Sequence, residues 1–316
     1  MINENEISIL IPTYNNENTI YSCLTSAINT KALEILISDD LSSDNTVKII
    51  KTFNDKRIKL FIQNRRLGLW KNHQFLLKKA KGKWIKFLQA DDYLSENGLK
   101  KFCEVNDENV TIISSPSLYK NLETNKTFIN INVEKNIFFE QHKYLKRIIK
   151  YGNELSTPSN TLIKKNAIPI TNYFWRNSLS CDLITNIIAA SKGKVFFVKT
   201  GQIIRGIHSN QDTFKQGTLT FITRKVKTFL ILNNLFDNKT KYIIHFYFFI
   251  NIFALINEYN KNKNILTVRE KVYCKSRIKQ ILKKLNYFYI LINMLYIIKA
   301  IHFKYFSNHK YSIKEK

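Results

Sequence analysis

The chain has 316 residues, 44% of them hydrophobic and 23% charged, an ordinary globular composition that excludes wholesale disorder. Lys and Arg number 50 against 24 Asp and Glu, a formal charge of +26, and such an excess attracts polyanions: nucleic acid, anionic lipid headgroups or phosphate-bearing substrates. Cys23, Cys103, Cys181 and Cys274 lie far apart with no Cys-x-x-Cys pair, which argues against a zinc site and against a disulfide framework.

Residues 1–6 are acidic where a signal peptide is basic, so the expected setting is a reducing cytosol. Ile7 to Ile11 is a short apolar run closed by Pro12, and Leu33 to Ser38 is another closed by Asp39-Asp40. Between them Ile20, Leu24, Ala27 and Ile28 recur at the spacing of one helical face. Strand, helix, strand in some 30 residues is a βαβ unit, and it implies a parallel sheet. The alternation continues with a helix over 46–53, a strand over 58–62, a helix over 73–80 and a strand over 84–88 that ends in Gln89-Ala90-Asp91-Asp92. Later strands are expected at 110–114 and 195–198, and a short helix at 141–150.

From about Leu219 the pattern changes to long helices rich in Ile, Leu, Phe and Tyr with Lys between them. The division is therefore 1–218, an α/β domain, and 219–316, a basic, aromatic-rich helical region. Residues 220–316 carry 19 Lys and Arg against 4 Asp and Glu, over half of the whole excess. The two longest uncharged segments, 242–257 and 285–298, fall short of the roughly 20 apolar residues a spanning helix needs. They are expected to be core or interfacial helices.

Three polar or acidic clusters stand at three strand ends: Thr13-Tyr14-Asn15-Asn16-Glu17, Asp39-Asp40 and Gln89-Ala90-Asp91-Asp92. A doubly wound sheet gathers such ends into one crevice. Clustered carboxylates repel unless a cation or hydrogen-bond donors offset them, and Mg²⁺ or Mn²⁺ bridging a diphosphate is the natural counter-charge. Each cluster also has a bland reading. An Asp pair such as Asp39-Asp40 is common as a helix cap, here of a helix starting near Ser43.

The stretch from Ile7 to Leu94 resembles the family 2 glycosyltransferases, inverting enzymes of the GT-A fold. Ile7-Ser8-Ile9-Leu10-Ile11-Pro12-Thr13-Tyr14-Asn15 is similar to the family's opening strand and loop, and Ser38-Asp39-Asp40-Leu41-Ser42-Ser43-Asp44-Asn45-Thr46 to its second signature. Asn64-Arg65-Arg66-Leu67-Gly68-Leu69-Trp70-Lys71-Asn72 and Ala80-Lys81-Gly82-Lys83-Trp84 then lead into the acidic motif in the family's order. The resemblance implies a GT-A fold with a mostly parallel central sheet, and a nucleotide-sugar donor, UDP-linked for preference. It implies that Thr13, Tyr14 and Glu17 line the nucleotide pocket and that Asp39 accepts a hydrogen bond from the base. It places Asn64 and Lys71 beside the nucleoside and diphosphate, and a divalent metal (Mn²⁺ or Mg²⁺) on Asp91. Gln89 departs from the pattern, standing where the family has its first acid. Its amide can still hydrogen-bond a ribose hydroxyl of the donor but adds no charge, for which Asp92 would compensate.

Further along, Thr157-Pro158-Ser159-Asn160-Thr161-Leu162 resembles the acceptor-side strand, and Asp182 falls where the family keeps its catalytic base, with Cys181 replacing the usual preceding acid. Glu154 is the next candidate base. Arg205-Gly206-Ile207-His208 resembles the family's Arg-x-His segment, which implies Arg205 on the donor and His208 on the metal or diphosphate. His73, His142, His245, His302 and His309 lack such context and are expected to be structural. The reaction implied is a single displacement with inversion, moving a sugar to a lipid-linked, lipopolysaccharide or capsule glycan of a bacterial surface. The expected place of work is the cytoplasmic face of the cell membrane, with an anionic lipid surface or a second subunit meeting the C-terminal helices. Three other readings compete: a nucleotidyltransferase, which would want a Gly-rich phosphate loop; a nucleic-acid-binding protein, for which no motif is present; and an inactive scaffold.

Overall fold

The computed structural model describes residues 1–121, 127–130, 135–141, 143–144, 157–170, 181–200, 202–207, 266–284 and 314–315, with short stretches between 223 and 264. β1 (Ile7–Thr13) is buried along its whole length, as expected of a strand covered on both faces. α1 (Ile20–Ile28) turns Ile20, Cys23, Leu24 and Ala27 inward at the i, i+3, i+4, i+7 spacing. β2 (Glu34–Asp39), α2 (Thr46–Ile50) and β3 (Ile58–Ile62) repeat the unit. α3 (Leu69–Lys79) starts four residues before the predicted position, behind Gly68 at φ +83°, because its first turn is partly exposed and hides the apolar period.

β4 (Trp84–Phe87) completes the first half of the sheet, and β5 (Asp92–Leu94), α4 (Gly98–Cys103) and β6 (Val110–Ser114) follow. Then come β7 (Ser117–Asn121), β8 (Thr127–Asn130), β9 (Ile137–Phe139) and β10 (Thr161–Lys164). α5 (Cys181–Ala190), β11 (Lys194–Phe197), β12 (Ile203–Ile207), α6 (Val268–Lys284) and β13 (Lys314–Glu315) end the series. The predicted helix at 141–150 lies mostly outside the described residues, as do the predicted boundary near 218 and nearly all of segments 242–257 and 285–298.

Eight strands form the central sheet in the order β3-β2-β1-β4-β10-β6-β11-β9. β3, β2, β1 and β4 run parallel, and β10 lies antiparallel between β4 and β6. A second sheet, β13-β8-β7-β12-β5, sets β12 beside β5 with Arg205 opposite Asp92. Gly82 is fixed by close approach: a Cβ there would stand 2.5 Å from the Ser8 nitrogen, and the Gly82 N–H instead reaches Ser8 Oγ at 2.8 Å. One core packs α3 and α5 against the sheet and includes Cys274, Ile278 and Ile281 of α6, so that helix shares its interior with the α/β half. The other face buries α1, α4 and the outer sides of β1, β2 and β4. Among the described residues no helix is long and apolar enough to cross a membrane.

Candidate active site

Three adjacent parallel strands, β2, β1 and β4, deliver their carboxyl ends to one edge of the sheet. Thr13 pairs in register with Asp39, and the Asp40 N–H continues the ladder to the Thr13 carbonyl at 2.9 Å. Both carboxylates of the pair are buried and hold loops. Asp39 accepts the Ser42 N–H at 2.9 Å and the Ser42 hydroxyl at 2.5 Å. Asp40 accepts the N–H groups of Leu67 at 2.6 Å and Gly68 at 2.9 Å, with the Arg66 guanidinium at 3.3 Å. The pair does not cap the helix near Ser43: α2 begins at Thr46 behind Asn45 with no side-chain cap, and Asp39 and Asp40 instead close the turns at 41–42 and 66–68.

Tyr14 is 38% exposed, and the Arg66 guanidinium lies 3.2 Å from the centroid of its ring. Arg66 therefore bridges the first and third loops of the crevice. Asn15 takes a left-handed conformation, φ +51°, and accepts the Ser43 N–H at 2.9 Å. Glu17 accepts both the backbone and side-chain N–H of Asn45, at 3.0 and 2.9 Å, which turns its carboxylate toward the start of α2. Asn64 is exposed, as is Lys71 in the first turn of α3. Neighbouring Asn72 is buried and donates to the Ser38 carbonyl at 2.8 Å.

The turn Gln89–Asp92 is tied down by residues from three other segments. The Gln89 N–H donates to Ser159 Oγ at 3.0 Å, and its side-chain Nε2 stands 3.1 Å from His73 Nε2. His73 is buried, and burial lowers its pKa to about 4. Asp92 is buried, and burial followed by the charge of Asp91 pushes its carboxyl well above the usual range; Arg205, the Ser159 hydroxyl and Lys86 act in the opposite sense. Arg205 Nε lies 4.0 Å from Asp92 Oδ1, and its Nη1 donates to the Tyr119 hydroxyl at 3.2 Å. Lys86 is fully buried in β4, and burial lowers its pKa to about 7 against the pull of Asp92.

Asp182 occupies the first turn of α5, half-buried, where the partial positive charge of a helix start favours a carboxylate. His208 and Glu154 lie outside the described residues. Among the described residues no three His, Cys, Asp or Glu side chains converge as a preformed cation cage. The acids present nevertheless suit a divalent cation: Asp91 and Asp92 are close enough for one to raise the other's pKa, a repulsion a cation relieves. Mg²⁺ in particular is held by one or two carboxylates together with substrate phosphates. Lys86, Ser159, Arg66 and Asp40 as a loop clasp were not singled out from the sequence. The available signal was a lysine inside the apolar run Trp84-Ile85-Lys86-Phe87-Leu88.

The sequence and the fold have counterparts among known proteins. Over 89 residues the chain is 42% identical to the UDP-Glc:alpha-D-GlcNAc-diphosphoundecaprenol beta-1,3-glucosyltransferase of Escherichia coli, a match that covers 28% of this chain and 36% of that protein. The chain thus spans about a third of the length of the curated relatives it matches first. The structure of S. aureus TarS 1-349 in complex with UDP-GlcNAc superposes with a TM-score of 0.67 at 16% identity, covering 89% of this chain and 81% of that one. A mannosyltransferase from Pyrobaculum calidifontis in complex with GDP-Man and Mn²⁺ matches with a TM-score of 0.54 at 14% identity, covering 94% and 86%. These likenesses establish the fold as GT-A. The sequence profile of glycosyl transferase family 2 matches residues 8–168, half of the chain, and the protein belongs to that family.

Proposed function

We propose that the chain is an inverting glycosyltransferase that moves one sugar from a UDP-linked donor to a hydroxyl of a lipid-linked, lipopolysaccharide or capsule glycan. The observation that carries this reading is the convergence of Thr13, Asp39 and the Gln89–Asp92 turn on one edge of three adjacent parallel strands. The E. coli relative is named for a UDP-Glc donor and a diphosphoundecaprenol acceptor, and the TarS structure holds UDP-GlcNAc, which supports the choice of donor and of a lipid-linked acceptor.

In this reading Tyr14 offers its exposed ring to the base, with Arg66 displaced or retained as a second layer. Thr13, Asp39 and Glu17 shape the pocket through the loops they hold, and Asn64 and Lys71 stand free to meet the nucleoside and diphosphate. Asp182 takes the proton of the acceptor hydroxyl as its oxygen attacks the anomeric carbon, and the bond to the diphosphate breaks on the opposite face. Lys71 offsets the charge that gathers on the departing diphosphate, while Arg205 acts from behind Asp92. Asp91 would hold a divalent cation, with His208 as its partner, and that cation supplies further charge stabilisation when bound. The place of work is the cytoplasmic face of the cell membrane, reached through the basic region 219–316, which would also meet a second subunit. A panel of nucleotide sugars with undecaprenyl-diphosphate-linked acceptors, scored by released UDP or GDP, tests the proposal. Release of UDP that depends on acceptor supports it, and no release with any pair refutes it.

A further inference from the structure

Lys86 is the most deeply placed cation among the described residues, at 0% exposure on a strand whose neighbours Ile85 and Phe87 are also buried. A lysine in such a layer is costly unless its donors are satisfied. Its Nζ donates to the carbonyl oxygens of Ser159 and, at 3.3 Å, Thr161, and sits 4.6 Å from the centroid of the Phe102 ring. Ser159 belongs to the short 3-10 turn Pro158–Asn160 that leads into β10. Its hydroxyl accepts the Gln89 N–H at 3.0 Å and donates to the Asp92 carboxylate. One serine thus receives Lys86 on its carbonyl and both ends of the acidic turn on its hydroxyl.

Resting on the reading of that turn as the donor's diphosphate-side acids, we propose that Lys86 and Ser159 form one positioning unit that fixes the Gln89–Asp92 turn against the β10 segment. Neither residue touches the reacting atoms. The unit sets where Asp91 and Asp92 stand, and it links the donor-side turn to the strand entering from the acceptor side. The link survives a change of charge on Lys86, because amine and ammonium alike keep two N–H groups for the two carbonyls.

The unit is tested on the full chain with Lys86→Met, which keeps the aliphatic stem, Ser159→Ala, the double variant, and Ser159→Thr as the conservative exchange. Two readings are taken: amide hydrogen exchange of the nucleotide-free protein, and calorimetric titration with UDP alone and with UDP plus Mn²⁺. Lys86→Met should speed exchange at 89–92 about tenfold and leave 9–11 in β1 unchanged. Each single variant should weaken UDP–Mn²⁺ binding about tenfold while UDP alone stays within about threefold. The double variant should be no worse than the weaker single, since the two residues act together. Ser159→Thr should restore wild-type binding. Additive losses, unchanged exchange at 89–92, or equal loss with and without Mn²⁺ would each overturn the unit in favour of a general packing role. If Lys86→Met does not fold, Ser159→Ala, which keeps every Lys86 contact, decides by the binding split. If the wild-type protein binds neither UDP nor UDP–Mn²⁺, the donor reading fails on its own account, and the exchange comparison still decides the unit.

Discussion

The side-chain amide of Gln89 donates to Nε2 of His73 across 3.1 Å, while Nδ1 of the same imidazole faces the Leu69 carbonyl at 2.7 Å. A carbonyl can only accept, so the proton sits on Nδ1 and the ring is neutral, in keeping with a pKa lowered to about 4 by burial. A carboxylate in place of Gln89 would draw a second proton onto this ring. The amide keeps the pair neutral.

The pH dependence of stability follows from that neutrality. His73 favours the deprotonated form when folded, so its effect is absent above pH 6.5, grows as pH falls through 6.5 toward 4, and is complete below 4. A displacement from 6.5 to about 4 corresponds to a loss of about 3 kcal/mol, an order-of-magnitude figure for a buried group. In chemical denaturation between pH 7 and 4, His73→Gln should lose less stability than the wild-type chain. Parallel curves would show that His73 stays neutral for another reason.

Asp91→Asn should lower transfer by about 10²-fold or more while leaving the thermal midpoint near wild type, because it removes the charge of the half-buried acid of the turn with a near-isosteric amide and leaves the buried Asp92 in place. Initial rates with and without Mn²⁺ check this. Turnover close to wild type, or full activity in excess chelator, would remove Asp91 from the metal's ligands.

Asp182→Ala should reduce the transfer rate by about 10²–10⁴-fold with little change in UDP affinity. Asp182 is the acidic residue of the first turn of α5, next in sequence to Cys181, Leu183 and Ile184. Rate measurements paired with calorimetric UDP titration separate the roles. An equal loss in both would mark Asp182 as a donor-binding residue.

Attachment to lipid should be electrostatic. On α6, Cys274, Ile278 and Ile281 turn inward, whereas Val268 and Val272 are 77% and 63% exposed beside Arg269, Lys275 and Lys279. Each basic residue near an anionic surface contributes about 1 kcal/mol, so a handful gives reversible binding. The full chain should float with anionic liposomes at low salt and be released at high salt. Binding that persists unchanged when Arg269, Lys275 and Lys279, all exposed, are replaced by Glu would place the contact elsewhere.

Much of the α/β half was legible because its parallel strands are largely apolar runs stopped by polar residues: Ile58–Ile62 and Val110–Ser114 match the predicted ranges, and the ends of β1, β2 and β4 shift by one or two residues. The second sheet was not legible. β5 is three residues, Asp92-Tyr93-Leu94, too short for a period, and its partner β12 returns from 109 to 113 positions away. The same distance hides the partners of site residues. Asp39 and Asp91 stand out by type and place, but no local pattern reveals that Asp40 closes on Leu67 and Gly68, or that Arg205 faces Asp92. Lys86 was visible as a lysine in an apolar run, but its role was not, because its acceptors are backbone carbonyls, which have no sequence signature.

The placement of β10 between β4 and β6 has a consequence for synthesis on the ribosome. Until Thr161–Lys164 emerges, the Trp84–Phe87 strand has a partner on one side only, its other edge of N–H and C=O groups stays open, and Lys86 lacks both of its carbonyl acceptors. A nascent chain of 90 to 160 residues is therefore the sticky intermediate of this fold, and the stage at which a holding chaperone would matter most.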